Sequence, residues 1–226
     1  MEDTLAARWS AVQQQVTAAA LEAGRAPDDI TTIVVTKFHP SSLVRELAQA
    51  GVQHVGENRH QEAVTKHAEL EDVPLTWHFV GQLQSNKAKA VAHYCSVIHS
   101  VDRSSLVQSL AQVEKKLDVF LEVNLTDIPG RGGAEPGDIL TLAETVLGTE
   151  NLVLRGLMAV APVGADPGRE FDRVVAMSAE LRELAPEARD LSLGMSGDFV
   201  EAISRGATHL RIGSAITGKR PNPTSR

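Results

Sequence analysis

Eight short runs of β-branched and alternating apolar residues recur along the chain, and helical spacing fills most of the gaps between them. The runs are TTIVVT (31–36), VQHVG (52–56), TWHFVG (76–81), CSVIHS (95–100), LDVFLEVN (117–124), LVLRGLMAV (152–160), DLSLG (190–194) and THLRIG (208–213). Among the intervening segments, SSLVRELAQA opens with a serine placed to cap a helix, and RSSLVQSLAQVEKK and GREFDRVVAMSAELREL show helical spacing. Strands alternating with helices imply parallel βαβ units. Eight such units in 226 residues, near the ~250 typical of the type, favour a single-domain α/β fold, a (β/α)8 barrel. An open doubly wound sheet is the alternative. Ahead of the first run, Leu5, Trp9, Val12, Val16 and Ala19 recur at steps of three and four, an extra N-terminal helix within residues 1–24. No linker divides residues 1–226, and 220–226 read as a flexible tail.

Charge and targeting signals narrow what such a barrel can do. A net charge of −7 argues against binding a nucleic-acid backbone, which requires a basic face. One cysteine, Cys95, excludes an internal disulfide and suits a reducing compartment. MEDTLAARWS lacks the basic and apolar regions of a signal peptide, and the apolar stretch around Leu157 to Val163 is too short to cross a bilayer. The sequon at Asn124 has no use without export. The expectation is a soluble, cytoplasmic protein that engages neither nucleic acid nor membrane. Eight histidines show no HExxH or comparable spacing, so no metal site is expected.

In barrels of this kind, functional groups gather at the C-terminal ends of the strands. Lys37, Glu57 and Asn58, Gly81 and Gln82, Asn124, Met158, Met195 and Ser196, and Arg211 to Gly213 fall there. Alternation along the first run puts Ile33, Val35 and Lys37 on one face. If that face points inward, Lys37 enters the mouth from an apolar wall, where desolvation favours the neutral amine that Schiff-base formation needs. A lysine snorkelling to solvent is the competing reading. On the eighth run, His209, Arg211 and Gly213 share a face, which aims Arg211 into the barrel toward either a structural carboxylate or a ligand.

GSAITGKR (213–220) matches a Walker phosphate loop at seven of eight positions. Only PNPTSR follows, however, so no long helix or further strand completes a nucleotide domain. Barrels often hold phosphate in the loops after strands 7 and 8, where GMSGD (194–198) and GSAITG (213–218) combine glycines with serine hydroxyls. Two ordinary glycine turns are the alternative.

The segments VTKFHP, GENRHQEA, WHFVGQLQSNK, GLMAVAP and LSLGMSGDFVEAISRGATHLRIGSAITG resemble the YggS/PROSC-like pyridoxal phosphate homeostasis proteins across nearly the whole chain. The resemblance implies an alanine racemase N-terminal-domain-like barrel (fold type III) with pyridoxal 5′-phosphate (PLP) as a Schiff base on Lys37. It also implies Asn58 near the cofactor, Ser196 and Gly213 at the phosphate, and Arg211 near the ring nitrogen; Met195, at the strand end beside Ser196, is expected to bind the cofactor as well. Two positions depart from the family pattern. His39 stands where a second lysine is frequent, and TDIPGRGGAEPG replaces a Lys-Ser-Gly-like stretch.

Two functions follow from the resemblance: a non-catalytic carrier that buffers PLP or delivers it to apoenzymes, or an amino-acid racemase or related PLP enzyme. A racemase needs a second acid/base opposite the lysine, in alanine racemases a partner's tyrosine, together with an appended β-domain. Here the only tyrosine, Tyr94, precedes the fourth strand, and the sequence ends after the eighth. An arginine at the ring nitrogen also discourages its protonation, which weakens the cofactor as an electron sink. The carrier reading is favoured. A closed barrel without open edges further predicts a monomer.

Overall fold

All eight runs become strands: β1 (Thr31–Val35), β2 (His54–Glu57), β3 (Thr76–Phe79), β4 (Val97–Val101), β5 (Leu117–Val123), β6 (Leu152–Ala159), β7 (Asp190–Ser192) and β8 (His209–Ile212). The computed structural model describes residues 4–126, 128 and 130–218. Every neighbouring pair is parallel, and β8 returns to β1 through Thr31↔His209 to Val34↔Ile212. The sheet is a closed barrel in sequence order, not an open one. The expected tail at 220–226, with Lys219, lies outside the described residues.

The helices are α1 (Leu5–Glu22), α2 (Ser41–Gln49), α3 (His60–Ala68), α4 (Ala88–Tyr94), α5 (Ser104–Ala111), α6 (Ile139–Leu147), α7 (Pro167–Leu184), α8 (Phe199–Ser204) and α9 (Ser214–Thr217). α1 is the expected extra helix. Its periodic residues Leu5, Val12, Val16 and Ala19 are buried, and Arg8 Nε donates to Ile216 O at 2.7 Å, tying α1 to α9. Asp166 caps α7 by accepting from the Gly168 and Arg169 N–H groups, with Pro167 at the first helical position. The serine expected to cap α2 does not do so. Pro40 holds the cap position, and Ser41, the first helical residue, donates its hydroxyl to Glu69. No described helix is long and apolar enough to cross a membrane.

Strand alternation splits the apolar residues into two unequal cores. Val34, Val55, Phe79, Ile98, Leu121 and Ile212 face outward and pack with the helices in the large core. Inside the barrel the buried apolar cluster is small: Val97, Phe120 and Met158, with Val160 against it. Much of the remaining interior is polar. His78, His99, Ser192 and Arg211 are all buried, and burial on this scale is tolerable only when such groups are hydrogen-bonded.

Candidate functional site at the C-terminal mouth

β1 ends at Val35, two residues before Lys37. Inward parity holds up to that point, since a side chain added at inward-facing Gly56 would meet Ile33 Cγ2 at 3.0 Å and Val35 Cγ2 at 3.5 Å. The chain then turns. His39 N donates to Thr36 O at 3.1 Å, and Phe38 takes the left-handed conformation at φ 69°. Lys37, on this turn, is exposed at the mouth instead of set in the apolar wall.

A buried polar cluster supports the turn from behind. Lys66 Nζ on α3 donates to Thr36 O at 2.7 Å and to Glu57 Oε1 at 2.6 Å, and Thr36 Oγ1 donates to the same carboxylate oxygen at 2.6 Å. Burial pushes the Glu57 carboxyl upward, and the Lys66 ammonium and Thr36 hydroxyl oppose that shift. His39, at the position of the family's second lysine, is buried and held below the usual imidazole range by desolvation and by Lys66.

Closure of β8 on β1 brings Lys37 to the turn after β8. A cavity of about 320 Å³ is lined by Val35, Lys37, Phe38 and His39 on one side and by Gly213, Ser214, Thr217 and Gly218 on the other. That volume falls in the range of small-molecule sites. Ser196, from the turn after β7, joins this edge by accepting from Ala215 N at 3.3 Å. Gly194 makes that turn feasible: its φ is +85°, and a side chain there would sit 2.7 Å from Ala202 Cβ on α8. Met195 is less available than expected, because its N–H donates to Asp198 Oδ1 at 2.5 Å and its side chain faces solvent.

Asn58 follows β2 at the level of Lys37. Gly81 lets its backbone approach, since a Cβ there would lie 2.3 Å from Asn58 O. Asn58 Oδ1 is buried without a partner among the described residues, and so is Glu122 Oε2 near the end of β5. Burial and the charge of Asp102 raise Glu122 to about 7, against the pull of Arg211 and Arg131. Arg211 lies inside the barrel two residues before Gly213. Neither a carboxylate nor an external ligand is needed to hold it. Its Nη1 donates to Ser192 O and Ser192 Oγ, both at 2.6 Å, and its Nη2 donates to Ala159 O at 2.8 Å. Burial lowers the guanidinium to about 10, so it remains a cation at neutral pH.

Residues 11–221 match the family described as alanine racemase, N-terminal domain. A pyridoxal phosphate homeostasis protein from Pseudomonas aeruginosa is 40% identical over 225 residues, covering 96% of each chain. One from Escherichia coli is 36% identical over 219 residues, covering 92% of this chain and 94% of its own. The chain belongs to the pyridoxal phosphate homeostasis protein family. A family structure, PipY of Synechococcus elongatus with PLP bound, superposes with a TM-score of 0.83 at 34% identity, covering 95% of this chain and all (100%) of that one. The likeness to Corynebacterium glutamicum alanine racemase is one of fold alone: TM-score 0.70 and 13% identity, over 96% of this chain and 62% of that chain.

Within this family fold, sequence reasoning overlooked two polar groups. One is the Thr36–Glu57–Lys66 cluster behind Lys37. The other is a row of inward histidines, His54, His78, His99 and His209, spread over four strands. Their shared inward parity was a usable signal, but spacing along the chain hides contacts made across strands. No group of three or more His, Cys, Asp or Glu among the described residues is placed to hold a metal ion.

Proposed function

We propose that this chain binds PLP at the barrel mouth, on Lys37, and serves intracellular PLP homeostasis by holding and releasing the cofactor. The observation that carries the reading is the cavity in which the β1–β8 closure sets the Lys37 amine opposite the Gly213 turn. The donor set fits the group: an exposed amine, a cation below it, a hydroxyl beside the glycine turn, and a buried amide oxygen at Asn58 that lacks a partner among the described residues. When bound, PLP supplies an aldehyde that condenses with an amine. Lys37 provides that amine, Ser196 and the Gly213 turn hold the phosphate, Asn58 orients the ring, and Arg211 faces the ring nitrogen as a cation that keeps it unprotonated. Met195 contributes through the turn it shares with Ser196.

The same reading makes the chain a carrier and not a racemase. Tyr94 is buried on α4 with its ring stacked on His60 at 5.9 Å, so it cannot serve as an acid/base at the mouth. The relatives are named for homeostasis, not for a reaction. The remaining parts of the proposal are a cytoplasmic monomer that meets PLP-dependent apoenzymes transiently and binds neither nucleic acid nor membrane.

Borohydride reduction of the protein loaded with PLP should fix the cofactor's mass on the peptide containing Lys37. Label on another lysine with Lys37 clean overturns the assignment. Loaded protein should exchange no amino-acid α-proton by NMR. Turnover at many per second, lost in Lys37→Ala, would make it an enzyme.

A further inference from the structure

Three of the four inward histidines, His54, His78 and His99, form a continuous hydrogen-bonded chain that ends, through Ser192, on Arg211. Ser192 Oγ lies 2.8 Å from His99 Nδ1, His99 Nε2 lies 2.9 Å from His78 Nδ1, and His78 Nε2 lies 3.0 Å from His54 Nδ1. Each histidine sits one strand over and two residues further along than the previous one, following the pairs His54↔Thr76 and His78↔Val97. His54 is the first residue of β2 and half-buried, so the chain reaches the barrel end opposite Lys37.

Arg211 sets the direction of every link. A guanidinium only donates, and Nη1 gives both of its hydrogens to Ser192. Ser192 Oγ is then an acceptor toward Arg211, and its own O–H needs an acceptor. His99 Nδ1 is the one at hydrogen-bonding distance. A neutral imidazole with Nδ1 bare carries its proton on Nε2, which it donates to His78 Nδ1. The same rule repeats at His78 and passes to His54. Reversing the chain would make His99 Nδ1 the donor to Ser192 Oγ and leave the O–H of a fully buried serine without an acceptor. Charging an imidazole would set N–H against N–H. Burial holds His78 and His99 well below the usual imidazole range, so both are neutral.

We propose that Ser192, His99, His78 and His54 are positioning residues for Arg211, joined in a one-way chain in which every hydrogen bond is donated away from the guanidinium. All three imidazoles are held as neutral Nε2–H tautomers, and the guanidinium is clamped with its remaining donor capacity free for a ligand. Only the last clause rests on the proposed PLP site; the chain itself is a property of the protein without cofactor.

The test is long-range ¹H–¹⁵N NMR of histidine-labelled, cofactor-free protein at neutral pH, with peaks assigned through single His→Gln variants. His54, His78 and His99 should all show the Nε2–H pattern. In Ser192→Ala, His99 should gain Nδ1–H character, and the two Nη groups of Arg211 should exchange faster. Ser192→Thr, which restores the hydroxyl, should bring both signals back. An Nδ1–H pattern at His78 or His99 in the wild-type protein overturns the proposal without any variant having to fold. So does a Ser192→Ala spectrum unchanged at both His99 and Arg211. Because PLP is absent, failure here leaves the borohydride result on Lys37 untouched, and failure there leaves the tautomers standing.

Discussion

Low in the barrel interior, His54, His78, His99 and Ser192 pair with one another and with Arg211. At the strand ends above them, Asn58 Oδ1 and Glu122 Oε2 are buried without partners among the described residues, and Lys37 stands exposed. The same eight strands therefore carry a histidine–serine–arginine interior that satisfies itself and a mouth where some polar groups lack partners among the described residues. Buried polar groups left open cost free energy. The same condition recurs away from the mouth at Thr32 Oγ1, Ser100 Oγ and Glu57 Oε2, so what sets the mouth apart is the exposed Lys37 amine opposite the glycine turn. On the proposed reading, the lower interior is specified for the fold and the mouth for PLP. Substitutions in the two zones should separate stability from binding.

Lys66 tests this division most severely, because it stands at mouth height but behind the barrel wall. If the support of the Lys37 turn obeys the interior's rule, Lys66→Met should cost about 3–5 kcal/mol in urea unfolding, since it strands the fully buried Glu57 carboxylate. A loss below about 1 kcal/mol would place the support with the dispensable mouth.

Acid and base should unbalance the zones in opposite directions. Glu122 is raised to about 7 in the folded protein against an ordinary 4.5, so the folded state holds the extra proton between those values. Its contribution is present below about pH 4.5 and lost as pH rises toward 7, by up to ~3 kcal/mol for 2.5 units. His78 and His99 are depressed, so their contribution is present above about 6.5 and is lost as pH falls below it. Glu122→Gln should flatten the first slope and leave the second. Retention of both slopes in the variant would remove Glu122 from the argument.

Ser196 belongs to the ligand side of the contrast. Ser196→Ala should weaken PLP binding by about 1.5–3 kcal/mol, roughly ten- to 150-fold, and leave pyridoxal binding unchanged. Equal effects on both ligands would show that the hydroxyl does not meet the phosphate.

The barrel was legible in the sequence because parallel strands and covering helices impose different periods, and the eight runs carried both. Strand ends then pointed to Lys37, Asn58, Ser196, Arg211 and Gly213 by position alone, and the family segments supplied their chemistry. Two things were not legible. Parity predicted an apolar wall at Lys37, but β1 ends at Val35, and a turn with Phe38 at positive φ carries the lysine out to solvent. The partners of Arg211 come from Ser192 and Ala159 on two other strands, and the histidine chain behind it crosses β2, β3 and β4. Those contacts depend on how the closed barrel staggers its strands, which spacing along one strand does not encode.

The smallest expected effect on stability separates the zones most cleanly. Lys37 is exposed, and its ammonium makes no ion pair or hydrogen bond among the described residues. Truncating such a side chain leaves no buried charge and no cavity, so Lys37→Ala in cofactor-free protein should unfold within about 0.5 kcal/mol of wild type. Adding PLP should then divide the two proteins. A ligand that binds only the folded state stabilises it by ~2.7 kcal/mol at a hundred times its Kd, which raises the midpoint of a chain this size by several degrees. Wild type should show that rise, and Lys37→Ala at the same PLP concentration should lose most of it. If Lys37→Ala is itself destabilised by more than about 1 kcal/mol without PLP, the mouth carries structural duty. The contrast between a self-satisfied interior and a ligand-completed mouth then fails at the residue where it should be sharpest.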